Sequence, residues 1–69
     1  MSREALRATV IEIRPKALYR VRLQDGRVIT ANVEASLRRV IVRIVENDQV
    51  LVRLSVNDPQ RGQIVALCQ

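Results

Sequence analysis

The sequence has no histidine, tryptophan or phenylalanine; its one aromatic is Tyr19 and its one cysteine is Cys68. Without His, the usual general base near neutral pH is missing. Ser36 and Ser55 have no base to activate them, and Cys68 has no imidazole partner. The carboxylates are scattered, and the only near pair, Glu46 and Asp48, flanks Asn47 in what reads as a solvated turn. The two glycines, Gly26 and Gly62, stand alone, so there is no phosphate-cradling loop. No catalytic residues, metal or cofactor are therefore expected. A lone Cys closes no internal disulfide, and without His or a second Cys zinc is not available as a staple; Cys68 reads as a small hydrophobe near a fraying end. No segment reaches the roughly 18 apolar residues that cross a bilayer. Met1-Ser2-Arg3-Glu4 leads into no apolar run, so a cytoplasmic protein without membrane partners is expected.

What is abundant is positive charge. Twelve basic residues against seven acidic ones give a formal net charge of +5 on 69 residues, and every basic residue but Lys16 is Arg. Such an imbalance predicts attraction to polyanions rather than a fold. Arg adds a planar fork that grips phosphate bidentately and can lie flat on a base, although a genome-wide bias towards Arg explains the ratio equally well. The length suits one domain, spanning 1–69, with residues 1–6 expected to fray. A chain this short buries only about 60% of its unfolded surface, so its core must be compact.

The stretch Leu18–Val33 organises the rest. Its two alternating arms are joined by Gln24-Asp25-Gly26-Arg27, and Asp-Gly is a strong hairpin signal. Tyr19, Val21 and Leu23 share one face of the first arm, and Arg20 and Arg22 the other. On the second arm Ile29, Ala31 and Val33 oppose Val28, Thr30 and Asn32. Before the hairpin, the β-branched run within Arg7–Arg14 predicts a first strand, ended by Pro15. Its alternation is impure, since Val10 and Glu12 share a parity; that fits a bent strand serving two parts of a closed sheet, or a fully buried strand with one paired Glu. After Val33, the spacing of Leu37, Val40, Ile41, Ile44 and Val45 predicts one or two helical turns from about Ser36, a fitting N-cap, and then an extended stretch. Glu46-Asn47-Asp48 predicts a turn. Val50, Val52 and Leu54 predict a fourth strand, Ser55–Arg61 a loop stiffened by Pro59, and Gly62 the opening of a last strand through Leu67. Three strands, a short helical insert and two more strands are the order of an all-β, five-stranded OB-fold, a Greek-key barrel. An SH3-like barrel is the nearest competitor, but it would not usually carry an amphipathic insert there.

The cationic constellation is the functional signal. The candidate RNA-binding residues are Arg20 and Arg22 on the hairpin, Arg38, Arg39 and Arg43 on the insert, and Arg61 at the last loop. Three arginines within six residues repel one another unless a polyanion neutralises them. The plain alternative is that these side chains merely solvate a small domain, with some pairing to Glu12, Glu34 or Glu46. Single-strand binders stack bases on exposed rings, yet Tyr19 shares its parity with Val21 and Leu23. Phosphate clamping and shape recognition of a folded RNA suit this residue set better.

The order and spacing of Thr9-Val10-Ile11-Glu12, Pro15, Tyr19-Arg20-Val21, Asp25-Gly26-Arg27-Val28, Ala31-Asn32-Val33, Leu37-Arg38-Arg39, Val42-Arg43-Ile44, Asp48 with Val50, and Gly62-Gln63-Ile64-Val65 resemble the bacterial translation initiation factor one family. The resemblance covers about residues 8–65. It implies a monomeric OB-fold that docks near the decoding site of the small ribosomal subunit. There it would contact 16S rRNA and a ribosomal protein, block early tRNA entry and work beside the other initiation factors. It also implies that Arg38, Arg39 and Arg43 stand at that family's RNA-contacting basic loop and the Arg after it. The chain departs from the pattern in carrying Ala35-Ser36 where the family usually has Gly-Lys, Val40-Ile41 where Asn-Tyr is common, and Ala66-Leu67-Cys68-Gln69 where Arg-rich ends are frequent. The alternatives are a general RNA- or single-stranded-DNA-binding OB domain of cold-shock type and a basic module that meets an acidic protein.

Overall fold

A computed structural model describes residues 5–37 and 43–68. Five strands form: β1 (Leu6–Arg14), β2 (Leu18–Leu23), β3 (Val28–Val33), β4 (Gln49–Leu54) and β5 (Arg61–Leu67). They close into a barrel in the order β1-β2-β3-β5-β4, with β1 pairing β4 to complete the ring. All neighbours run antiparallel except β3 and β5, which are parallel. The predicted five-stranded OB-fold is what the chain adopts, and closure leaves no long unpaired edge among these strands.

The alternation in the hairpin is realised residue by residue. Val21, Leu23, Ile29, Ala31 and Val33 are buried, and Tyr19 packs half-buried against them. They meet Ala8 and Val10 from β1, Val50 and Val52 from β4, Ile64 from β5, and Ile44. The core is thus built of small and β-branched side chains, which suits the narrow interior of a barrel with few strands.

The impure alternation of β1 has a definite cause. Val10 pairs with Val21 and Glu12 with Arg20, so Ile11 is an extra residue that β2 does not match. The bulge turns Glu12 outward and leaves Ile13 opposite Tyr19. Of the two readings of this strand, the bent one is correct: Leu6–Thr9 pair with β4, and Ala8–Arg14 with β2. Fraying through residue 6 needs correction, because Leu6 pairs with Val52 and packs against the core.

Two connections are tight. Pro15–Ala17 form the β1–β2 turn, with Lys16 and Ala17 at φ 65° and 58°, a left-handed region that side chains with a Cβ seldom occupy. At the β2–β3 turn, Gly26 takes φ 96°, its N–H donates to the Leu23 carbonyl, and Arg27 donates its backbone N–H to Asp25 Oδ1 at 3.0 Å.

The predicted short helical insert between β3 and β4 is present. It begins as a 3₁₀ turn at Ala35–Leu37, closed by the Leu37 N–H on the Glu34 carbonyl. Ser36 sits inside that turn rather than capping it. Leu37 and Ile44 reach the core, but Val45, assigned to the same apolar face, is 44% exposed. Val40 and Ile41 lie outside the described residues. The predicted turn at Glu46-Asn47-Asp48 forms: Asn47 adopts φ 75°, and the Asp48 carboxylate accepts the Val45 N–H at 3.0 Å. Its backbone is tied to β1 by Val10 N–H on the Asp48 carbonyl and Asn47 N–H on the Val10 carbonyl.

Candidate nucleic-acid interface

Cross-strand partners point to the same side of a sheet. The ladders therefore fix which outward side chains become neighbours. Glu12 pairs with Arg20, Arg20 with Thr30, and Thr30 with Arg61, which makes one transverse row across β1, β2, β3 and β5. One step along the barrel, Arg14 pairs with Leu18, Leu18 with Asn32, Asn32 with Gln63, and Gln63 with Arg53. On the other side of the first row, Arg22 pairs with Thr9 and Val28. Arg20, Arg22 and Arg61, up to 41 positions apart in the chain, thus share one wall. With about 4.8 Å between strands, Arg20 and Arg61 stand about 10 Å apart at their backbones.

Arg43 is exposed immediately before buried Ile44, in no strand, so no ladder ties it to that wall. Arg38 and Arg39 lie outside the described residues. Arg14 and Arg53, by contrast, are not sequence candidates; their row runs round all five strands of the closed barrel, with Arg14 beside Arg20 at the shared Glu12 and Arg53 beside Arg61 at one cleft. The signal for Arg53 was present in its alternation with Val52 and Leu54. What was missing was the strand order that sets β5 between β3 and β4.

The arginines on the wall are held loosely. Arg20 Nε lies 4.0 Å from Glu12 Oε1, Arg14 reaches the same oxygen at 3.8 Å, and Arg61 Nε lies 3.9 Å from Asp58. These pairs are about half exposed or more, and such contacts contribute roughly 0–1 kcal/mol. Among the described residues Arg7, Arg22, Arg43 and Arg53 have no carboxylate within 4.0 Å. Arg27 behaves differently. Its backbone N–H and then its guanidinium, 2.7 Å from Asp25 Oδ2, hold the Asp25 carboxyl below its usual range, so this Arg is committed to its own turn.

A cleft of about 360 Å³ opens on the same wall, between β5 and the β4–β5 loop. Asn32, Gln63, Arg53 and Arg61 line it together with Ser55 and Val56. Tyr19 is half-buried against the core, so the wall carries no free ring. Among the described residues no cluster of three or more His, Cys, Asp or Glu gathers to hold a metal ion, and no helix is long and apolar enough to cross a membrane.

A closed five-stranded barrel of this strand order with a cationic, ring-poor outer face places the chain in the class of small OB-fold proteins. Comparison with known proteins narrows this. Residues 2–69 match the family described as translation initiation factor 1A / IF-1, and the chain belongs to that family. Among solved structures it is similar to the solution structure of the translation initiation factor of that family from the Wolbachia endosymbiont strain TRS of Brugia malayi. The two are 30% identical with a TM-score of 0.75, over 94% of this chain and 77% of that one.

Proposed function

We propose that this initiation factor binds the small ribosomal subunit near the decoding site as a monomer, without catalysis, by setting its arginine wall against 16S rRNA phosphates. The observation that carries this reading is that Arg20 and Arg22 on β2 and Arg61 on β5 take outward positions on either side of β3, with Arg14 next to Arg20 and Arg53 next to Arg61. Their own carboxylates hold them weakly enough for phosphate to compete. Charge-assisted Arg–phosphate bonds are bidentate and short, and their arrangement on a rigid barrel matches a surface of fixed shape rather than a sequence. Arg38, Arg39 and Arg43, which match the family's basic loop, would extend the binding surface beyond the strands. In this reading the factor also touches a ribosomal protein, covers the site of early tRNA entry and acts with the other initiation factors in the cytoplasm.

The test is co-sedimentation with purified small subunits across a salt series, with a short unstructured oligonucleotide as competitor. Arg22→Gln and Arg43→Gln are each expected to weaken binding and to lower the slope of log K against log salt by roughly 0.7 to 0.9 for each phosphate no longer neutralised. Unchanged affinity in both variants removes the site assignment. Efficient competition by the unstructured oligonucleotide would instead favour a general single-strand binder, a reading that the half-buried Tyr19 disfavours.

A further inference from the structure

The cleft on the arginine wall has a composition that phosphate binding alone does not require. Asn32 and Gln63 are register partners across the parallel β3–β5 ladder, so their amides lie side by side on the outer face. Arg53 follows in the same row, opposite Gln63 across β4–β5, and Arg61 is the next outward residue before Gln63 on β5. All four side chains line one cleft. Among the described residues neither amide has a hydrogen-bond partner within the protein. Arg53 has no carboxylate within 4.0 Å, and Arg61 has only the loose contact to Asp58.

We infer that this cleft is where the protein distinguishes RNA from DNA, with Arg53 and Arg61 holding a backbone phosphate while the Asn32 and Gln63 amides bind the 2′-hydroxyl of the adjoining ribose. This rests on the RNA-binding reading above and specifies part of it. A 2′-hydroxyl both donates and accepts. Two adjacent carboxamides offer an NH2 donor and a carbonyl acceptor at neighbouring positions, and so satisfy both of its needs at once. Paired carboxylates would repel the phosphate beside it, and paired hydroxyls would not reach as far. The two flanking cations fix the backbone, since phosphate contacts position the ligand while other groups discriminate. The cleft volume of about 360 Å³ falls in the range of small-ligand sites, so it admits a sugar–phosphate unit without a stacked ring.

The probes are an RNA stem-loop carrying unpaired purines and the same sequence with 2′-fluoro sugars, which keep A-form pucker and charge but lose the hydroxyl. Binding of the full chain to each is measured by fluorescence anisotropy over a salt series. The wild type is expected to prefer the hydroxyl-bearing RNA by roughly three- to tenfold, the effect of about one neutral hydrogen bond. Asn32→Ala and Gln63→Ala should each shrink that preference towards one while leaving the salt slope unchanged. Arg53→Gln should lower affinity for both probes and the salt slope together, with the preference kept. Gln63 is exposed on the barrel surface, so Gln63→Ala gives a decisive reading even if Asn32→Ala unfolds. Equal binding of the two probes by the wild type overturns the inference but leaves the RNA-binding reading standing. So does a preference that survives Gln63→Ala or vanishes only in Arg53→Gln. Failure of the wild type to bind either probe at low salt removes both.

Discussion

Gly62 is the residue whose replacement tests the barrel most directly. A Cβ placed there would lie 2.8 Å from Val52 Cγ1, 2.9 Å from the Arg53 carbonyl oxygen and 3.2 Å from Ile29 Cδ1. Carbon atoms are comfortable at about 3.5–4.0 Å, so the first contact is short by roughly 0.7 Å or more. Relief is hard to find. Val52 is fully buried and Ile29 is 3% exposed, so neither side chain has room to turn away. The oxygen is backbone, in the strand that pairs with Gly62 through Leu54. Overpacking costs about 1–3 kcal/mol, and with two contacts under 3.0 Å, one of them to a backbone oxygen, the upper part of about 2–3 kcal/mol applies here. The lower backbone entropy of Ala in the unfolded chain returns about 0.5–1 kcal/mol. Gly62→Ala is therefore expected to destabilise by about 1–2 kcal/mol, which lowers Tm by about 4–16 °C in a domain of this size. Circular dichroism melts measure it. A second comparison isolates the clash: Val52→Ala should cost less in the Gly62→Ala background than alone, because the new methyl fills the vacated space. A Tm within about 2 °C of the wild type, or additive effects in the double variant, would falsify the close β4–β5 approach.

The β1–β2 turn holds Ala17 at φ 58°, and Ala17→Gly should raise stability by about 1 kcal/mol, seen as a higher urea midpoint; a lower midpoint refutes the left-handed turn. Asp48→Ala removes the acceptor for the Val45 N–H and is expected to cost about 1 kcal/mol in the same assay. Asp25 has a folded pKa below its ordinary value of 3.8, so the unfolded chain binds more protons there. Its contribution is present above 3.8 and lost as pH falls through the lower folded value. The stability gap between wild type and Asp25→Ala should therefore be open at neutral pH and narrow steadily below 3.8; a gap that widens on acidification contradicts the assignment. Glu12→Gln frees Arg14 and Arg20 from their shared carboxylate and adds one unit to the net charge of +5. It should tighten small-subunit binding by about 1.5- to 5-fold in co-sedimentation, whereas weaker binding would point away from this wall.

Much of the barrel is legible in the sequence because each arm of the hairpin alternates cleanly and Asp25-Gly26 marks the turn. The β4 pattern of Val50, Val52 and Leu54 is equally plain. The insert is legible in part: Leu37, in a 3₁₀ turn, and Ile44 reach the core as their spacing suggests, while Val45 is exposed. The wall is legible only in part. Arg20 and Arg22 announce an outward face by parity alone. Arg53 meets Gln63 across the β4–β5 hairpin, but Asn32 joins them only through the parallel β3–β5 ladder, a pairing between strands separated by the insert, β4 and a loop, which no local pattern encodes.

The two bulges explain how so short a chain closes a barrel and still presents that wall. In β1, pairing with β4 ends at Thr9 and the extra residue is Ile11. In β5, pairing with β3 ends at Ile64, and the shift opposite Leu51 and Val52 makes Val65 the extra residue. Each strand thus bends just past the point where it leaves one of its two neighbours, as a bulge's added twist allows. Each bulge also resets parity. After Val65, Leu67 faces inward opposite Val50 and packs against the core; without the extra residue, Leu67 would point to solvent. After Ile11, Glu12 joins the outward row beside Arg20, whereas unbroken alternation would carry its carboxylate inward behind Val10. An unpaired carboxylate in that core would cost several kcal/mol. The irregularity that makes β1 hard to read thus removes a charge from the interior and sets it where it weakly tethers two arginines.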